Sequence, residues 1–245
     1  MTSYKTSGIV LKGTNFGEAD KILTIFTERF GKIKAIAKGV RKIKSHMAGS
    51  LEPFMLVDLQ LHEGKTFYIV TGAMIKKDFF SLHNSLSKVA KAFFIGEMSD
   101  KFMEEGQENK EIFHLFLSAL DEIDKSLPGP LIQAFQLKIV EAAGFKPELY
   151  DCIHCKTKLS AGNNFWDMAE SGVLCSNCNM ETGHGQEISD QIIKLFRFIN
   201  NNDFATISKL KIAEKVELEA DNILRNYIES ILERELKSQR FLKML

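Results

Sequence analysis

The segment Cys152-Ile153-His154-Cys155 is followed, after nineteen residues, by Cys175-Ser176-Asn177-Cys178, and together they hold every cysteine of the 245-residue chain. Two C-x2-C pairs at this separation are typical of a zinc site, because each tight turn directs two thiolates toward one point. Four thiolate ligands leave no coordination position for water or substrate, so a structural ion is expected. Residues 165–167 and 172–174 are predicted to be short strands that return the chain to the metal.

Three other roles for the cysteines remain open, although zinc is favoured. A redox dithiol normally lies in a βαβ context, which the flanking sequence lacks. A disulfide framework requires an oxidising compartment, of which the sequence shows no sign. An iron–sulfur cluster also takes four thiolates. His154 and His184 could each replace a cysteine as a ligand, but a surface position is the simpler interpretation of both.

Helical patterns lie on both sides of the cysteine stretch, so this stretch is predicted to be an insertion between helices. Apolar residues recur at helical spacing in five segments, and core packing explains these stripes without a cofactor. Pro130 suits the first turn of one helix, Gly144 suits its C-terminal cap, and Ser189 can cap another. The predicted helices cover residues 87–105, 110–125, 130–143, 190–199 and 213–239.

The first eighty residues have a different pattern, in which strand signals follow one another closely. Residues 32–38 alternate polar and apolar side chains, which predicts a strand with Lys32 and Lys34 on one face and Ile33, Ala35 and Ala37 on the other. A hairpin turn is predicted at residues 63–65. Five short strands in about seventy residues favour a small closed barrel of the OB type.

These patterns together predict an α+β protein. Residues 1–79 form an N-terminal OB-fold β-barrel, and residues 80–245 form a helical domain. The four-cysteine zinc module is inserted in the helical domain at residues 150–184.

Basic residues are concentrated in the first of these domains, although the chain as a whole has a formal net charge of zero. Between Arg29 and His46 there is no acidic residue, and a solvated edge strand would explain only one or two lysines. So many unopposed positive charges repel one another unless an anion binds there, so a nucleic-acid backbone is the preferred ligand. The candidate DNA-binding residues are Arg29, Lys32, Lys34, Lys38, Arg41, Lys42 and Lys44.

Aromatic residues of the barrel could add base contacts to this basic surface, as in other OB barrels that bind single strands. For most of them core packing is the expected role. The candidates are Phe16, Phe30, Phe67 and Tyr68.

The remaining motifs argue against several classes of protein. The sequence contains no P-loop, no H-E-x-x-H, no G-x-S-x-G and no dinucleotide fingerprint, so an enzyme is not expected. The N-terminus does not have the pattern of a secretory signal, and no apolar run approaches the length that spans a membrane. Cysteines arranged for metal suit a reducing cytosol, so a cytoplasmic protein without membrane association is expected.

Taken in order, several segments make the chain resemble the RecO family of bacterial recombination mediators in the RecFOR repair pathway. They include Gly17-Glu18-Ala19-Asp20, Ala37-Lys38-Gly39-Val40-Arg41-Lys42-Ile43-Lys44-Ser45, Leu51-Glu52-Pro53-Phe54, Ala143-Gly144-Phe145-Lys146-Pro147 and Leu236-Lys237-Ser238-Gln239-Arg240-Phe241-Leu242. The resemblance implies an OB fold, a helical domain and a zinc module. It also implies binding of single- and double-stranded DNA, strand annealing, and association with the nucleoid.

The same resemblance implies two protein partners, because RecO works with RecR to load RecA onto strands coated by single-strand DNA-binding protein (SSB). The basic stretch from Lys34 to Lys44 falls where the barrel of the family contacts DNA. Some members lack the cysteines, so the metal is not expected to perform the core function. The competing hypothesis is a zinc-containing protein–protein adaptor that does not contact DNA.

Overall fold

The computed structural model describes residues 3–125, 130–238 and 242 of the chain. Its architecture is mixed α+β, with an N-terminal sheet, helices and a smaller second sheet. The chain divides into two compact units, one made of Met1–Lys125 with Ser238–Leu245 and the other of Ser126–Lys237. Within the described residues, no helix is both long enough and apolar enough to span a membrane.

The first unit contains five strands that close into a barrel in the order β1-β2-β3-β5-β4. The pairs are antiparallel except β3 with β5, which is parallel. The long first strand pairs with β2 on one side and β4 on the other, and a bulge between Val10 and Lys12 shifts its register. The strands are β1 (Ser3–Phe16), β2 (Asp20–Thr27), β3 (Gly31–Ala37), β4 (Leu56–His62) and β5 (Tyr68–Lys77).

The alternation predicted for the third strand is confirmed. Ile33, Ala35 and Ala37 are buried in the barrel core, while Lys32 and Lys34 point away from it. Because side chains of a strand alternate between faces, this pattern leaves only one register in which the apolar side chains are buried.

Three helices complete the first unit: α1 (Phe80–His83), α2 (Leu86–Phe102) and α3 (Lys110–Lys125). Phe26 of β2 is fully buried, and its ring centroid lies 5.2 Å from that of Phe113 in α3. The ring of Phe54 lies 4.8 Å from that of Phe93 in α2. These helices, which follow the predicted boundary at residue 79, therefore cover the barrel and belong to the same compact unit.

The loop between α2 and α3 also contacts the barrel closely. Gly106 donates its N–H to the carbonyl of Lys32 at 2.9 Å. Gly31 has a φ of 61°, and a Cβ there would lie 1.8 Å from the carbonyl oxygen of Gln107. Only glycine permits both this left-handed conformation and such a close backbone approach.

The second unit combines helices with a small sheet. Its strands pair in the order β7-β6-β8, and Trp166 of β6 is buried with its ring centroid 5.3 Å from that of Tyr227. The elements in chain order are α4 (Leu131–Ala142), β6 (Asn164–Asp167), β7 (Gly172–Cys175), α5 (Ser176–Thr182), β8 (Gln186–Ile188), α6 (Asp190–Asn201), α7 (Phe204–Ile207) and α8 (Glu214–Leu232).

Two predicted helix caps are present in the structure, and one helix ends earlier than predicted. The Ser189 side chain accepts a hydrogen bond from the N–H of Ile192, which confirms the predicted N-cap of α6. Gly144 has a φ of 90° just after α4, as expected for a C-terminal cap. The last helix is shorter than predicted, because Glu233 takes a left-handed conformation that ends α8. The predicted end, Gln239, lies outside the described residues.

Candidate nucleic-acid interface and metal site

The four cysteines come together in the second unit, as their spacing predicts. Their Sγ atoms all lie within 4.8 Å of one another, and those of Cys155 and Cys175 are 3.9 Å apart. Each edge of a zinc–thiolate tetrahedron is about 3.8 Å, so the cluster has the size that one ion requires. His154 and His184 are exposed and do not belong to this group.

Backbone geometry explains how each pair of thiols is presented. The first turn is closed by hydrogen bonds from Cys152 N–H to the Thr157 carbonyl and from Lys156 N–H to the Cys152 carbonyl. Lys156 takes a φ of 59° to allow this closure. The second pair lies where β7 ends at Cys175 and α5 begins, so Cys178 follows within the first helical turn.

The surroundings of the thiols differ. Cys152 and Cys178 are buried, whereas Cys155 is exposed. The Thr157 hydroxyl lies 2.9 Å from Cys155 Sγ and, by hydrogen bonding, lowers the pKa of that thiol to about 6. Burial raises the pKa of Cys178 to about 12. The N–H of Cys175 donates to Cys152 Sγ at 3.4 Å, a bond that stabilises a thiolate.

These features suit a soft divalent cation. Four sulfur donors within 4.8 Å of one another, two of them buried among Leu174 and neighbouring apolar residues, fit a closed four-thiolate site. Binding of a cation would displace the proton that burial holds on Cys178.

The basic residues differ in their surroundings. Lys32 and Lys34 project from β3 toward acidic residues that follow about seventy positions later in the chain. Lys32 Nζ lies 3.3 Å from an oxygen of Asp100, and Lys34 Nζ lies 3.0 Å from one of Glu105. Burial raises the pKa of Asp100, but its hydrogen bond to Lys12 and the nearby charges outweigh this, and its pKa is lowered overall. Two of the seven charges are therefore opposed within the fold.

Arg29 stands apart from the others. It is exposed in the turn between β2 and β3, at the opposite end of β3 from the four basic residues that follow this strand, and its guanidinium donates to the Lys5 carbonyl at 3.5 Å. Because of this position, we expect Arg29 to contribute less to ligand binding than the basic residues that follow β3.

The other four basic residues lie in residues 38–45, here named the basic loop. Val40 anchors this loop in the barrel core, where it is 2% exposed. The Arg41 guanidinium donates to the carbonyls of Gly17 (3.4 Å) and Glu18 (3.2 Å), in the turn between β1 and β2. The Arg41 N–H donates to the Ala19 carbonyl at 2.9 Å. The loop is therefore held against that turn.

Further hydrogen bonds order the loop from within. Gly39 donates its N–H to the Asp20 carboxylate at 2.7 Å. Lys42 and Ser45 donate theirs to the carbonyls of Gly39 (3.1 Å) and Lys42 (2.9 Å). Lys38, Lys42 and Lys44 are exposed, and among the described residues no carboxylate pairs with any of them. Three unopposed ammonium groups thus project from an ordered loop.

The four aromatic candidates also differ in how exposed their side chains are. The ring centroids of Phe30 and Tyr68 lie 5.4 and 6.2 Å from that of Tyr4 and 6.4 Å from each other, and both rings lie against the barrel core. Phe67 is half-buried. Phe16 alone of the four is exposed, at 51%. Sequence reasoning missed Ile43, which is completely exposed in the basic loop; the available signal was a large apolar residue flanked by basic residues.

Comparison with known proteins finds two family models that match the chain. The family model described as recombination protein O N terminal matches residues 1–79, and that described as recombination protein O C terminal matches residues 83–240. DNA repair protein RecO of Dehalococcoides mccartyi strain CBDB1 is 35% identical over 243 residues, which cover 99% of this chain and 96% of that protein. DNA repair protein RecO of Alkaliphilus metalliredigens is 32% identical over 237 residues, with 94% of each chain covered.

A more distant relative has the same name. DNA repair protein RecO of Desulforamulus reducens is 29% identical over 245 residues, which cover all of this chain and 96% of that protein. Because both family models match and together extend over nearly the whole chain, the chain belongs to the RecO family of DNA repair proteins.

Proposed function

We propose that this chain is a recombination mediator in DNA repair that binds single- and double-stranded DNA, anneals single strands, and helps load RecA onto SSB-coated strands together with RecR. Family membership supports the general role. The observation that carries the DNA contact is the basic loop, which presents three unopposed lysines from a fixed position on the barrel.

The barrel supports this proposal through its topology. Five strands in the order β1-β2-β3-β5-β4, closed by a parallel β3–β5 pair, are consistent with an OB fold. OB folds bind oligonucleotides on one face and on the loops that border it. In this chain the basic loop follows β3 directly, so its charges lie at the rim of the barrel.

The contact should involve the backbone of the nucleic acid rather than its sequence. Lysine ammonium groups bind phosphates as point charges and carry no base information. Of the seven candidate residues, Lys38, Lys42 and Lys44 are proposed as the main phosphate contacts. Arg41 is proposed to position the loop, because its guanidinium already binds two carbonyls.

A salt series tests this assignment directly. Phosphate contacts release condensed counterions, with a slope of log affinity on log salt of about −0.7 per phosphate for single strands. Replacing Lys38, Lys42 and Lys44 by Ala should therefore make the slope less steep by about 2. Fluorescence anisotropy with two oligonucleotides of unrelated sequence should show the same loss on both.

A matched variant controls for net charge. Lys209, Lys211 and Lys215 are exposed in the second unit, so replacing all three by Ala removes the same charge elsewhere. That variant should keep the parental slope. If the basic-loop variant also keeps it, the loop does not bind DNA and the adaptor hypothesis gains support.

The partner proteins and the metal are proposed on separate grounds. RecR and SSB are proposed as partners because the chain belongs to the RecO family. Cys152, Cys155, Cys175 and Cys178 are proposed to hold one structural zinc ion, which would cross-link the two turns of the module. Annealing of SSB-coated complementary strands, with and without RecR, measures the mediator activity itself.

A further inference from the structure

Ile43 has an unusual position for a large apolar side chain. It is completely exposed, more so than any other large hydrophobic residue in the described part of the chain, the next being Met180 at 78%. Single exposed apolar residues are common on protein surfaces and need no explanation by themselves. Ile43 differs because its neighbours in the chain are Arg41, Lys42 and Lys44, and because it belongs to the ordered basic loop.

The loop fixes where Ile43 points. Val40 is buried in the barrel core on one side of it, and the Ser45 N–H is bonded to the Lys42 carbonyl on the other. Arg41 bonds the same loop to the turn between β1 and β2 through three hydrogen bonds. Ile43 is thus displayed by a turn that is held at both ends.

A second exposed apolar group lies on the element that supports the loop. Phe16 ends β1, is 51% exposed and pairs with Asp20, whose carboxylate accepts the N–H of Gly39 in the loop. The surface near the three lysines therefore combines positive charge with an aliphatic and an aromatic side chain. Single-stranded nucleic acid has the complementary chemistry, because its phosphates require cations and its unpaired bases offer apolar faces.

We infer that Ile43 contacts the bases of a single DNA strand and inserts between two adjacent bases. Lys38, Lys42 and Lys44 then bind the phosphates, and Phe16 packs against a displaced base. This inference rests on the proposed DNA binding and adds a base-contacting residue to it. Aliphatic side chains inserted in this way unstack adjacent bases. An unstacked strand presents its bases to a complementary strand, which suits annealing.

The test uses the full-length protein and an oligonucleotide that contains 2-aminopurine, whose fluorescence rises when the base is unstacked. The parental protein should raise this fluorescence on binding. Ile43→Ala should abolish most of the rise and weaken binding about fivefold, since apolar burial is lost. Its salt slope should stay parental, because no phosphate contact is removed. Ile43→Leu should restore both affinity and fluorescence.

Met74 provides the matched control, because it is 66% exposed in β5 of the same unit. Met74→Ala should leave both readouts unchanged. If Ile43→Ala keeps the parental affinity and the parental fluorescence rise, the inference is wrong. The proposed function would still stand if the triple lysine variant shows a less steep dependence of affinity on salt. If the parental protein does not bind the oligonucleotide at all, both the proposed DNA binding and the inference about Ile43 are wrong. Ile43 would then be assigned to a protein contact.

Discussion

Individual lysines between Arg29 and His46 have different roles, because different groups lie opposite their side chains. The side chain of Lys32 is only 17% exposed and faces Asp100, whose pKa is lowered from its ordinary 3.8. A carboxylate with a lowered pKa stabilises the fold above its ordinary pKa, and this contribution is lost as the pH falls through the folded-state value. Lys38 has no such partner among the described residues, so its charge is available to a ligand.

The cysteines give the first residue-scale prediction. Cys175→Ser removes one of four converging thiol groups, so the proposed zinc ion should no longer bind. Because metal binding contributes folding free energy to small modules, residues 150–184 should exchange their amide hydrogens faster while the barrel keeps its protection. Elemental analysis and hydrogen exchange measure the two effects.

His154 supplies the control for this prediction. It lies between two of the cysteines but is exposed and outside the four-thiol group, so His154→Ala should keep one equivalent of zinc. Purified parental protein with less than about half an equivalent of zinc, or with the brown colour of an iron–sulfur cluster, would contradict the assignment.

At the scale of elements, the barrel and α3 are joined by aromatic packing. Phe116 is fully buried, as the apolar stripe of residues 110–125 predicts, and its ring centroid lies 6.5 Å from that of Phe26 in β2. Phe116→Ala would leave a cavity beside β2, because the paired strand cannot move to fill it. We expect a loss of about 3–5 kcal/mol in the free energy of unfolding, measured by chemical denaturation.

Phe80 offers a comparison of the same side-chain type. It begins α1 and is 73% exposed, so Phe80→Ala should change the free energy of unfolding by no more than about 0.5 kcal/mol. A loss for Phe116→Ala no larger than that for Phe80→Ala would contradict the expected contribution of Phe116 packing to stability.

At the scale of the whole molecule, the units of the structure cut across the boundary of the family models. The N-terminal model ends at residue 79, but α1–α3 belong to the same compact unit as the barrel. Helices α2 and α3 cover Phe54 and Phe26, which are 2% and 0% exposed. A fragment ending at residue 79 would expose both rings to water.

Two truncated proteins test this division. A fragment of residues 1–125 should unfold cooperatively and remain soluble, because it keeps the covering helices. A fragment of residues 1–79 should have a lower unfolding temperature and bind a dye that recognises exposed apolar surface. Equal unfolding temperatures would mean that the barrel is stable without its helices.

Local sequence determined the features that depend on a few neighbouring residues. The alternation of residues 32–38 determines which face of β3 is buried, and Ser189 caps α6, because strand period and capping chemistry act over one turn or a few residues. The two C-x2-C pairs likewise predicted a cluster that the structure brings together.

Tertiary structure alone decided which of the predicted DNA-binding residues are free. The sequence between Arg29 and His46 contains no acidic residue, but the end of α2 and the loop after it bring Asp100 and Glu105 to Lys32 and Lys34. The assignment of α1–α3 to the barrel unit and the exposure of Ile43 arise in the same way. Burial and charge pairing depend on residues distant in sequence, because packing determines which side chains meet, and no local pattern contains that information.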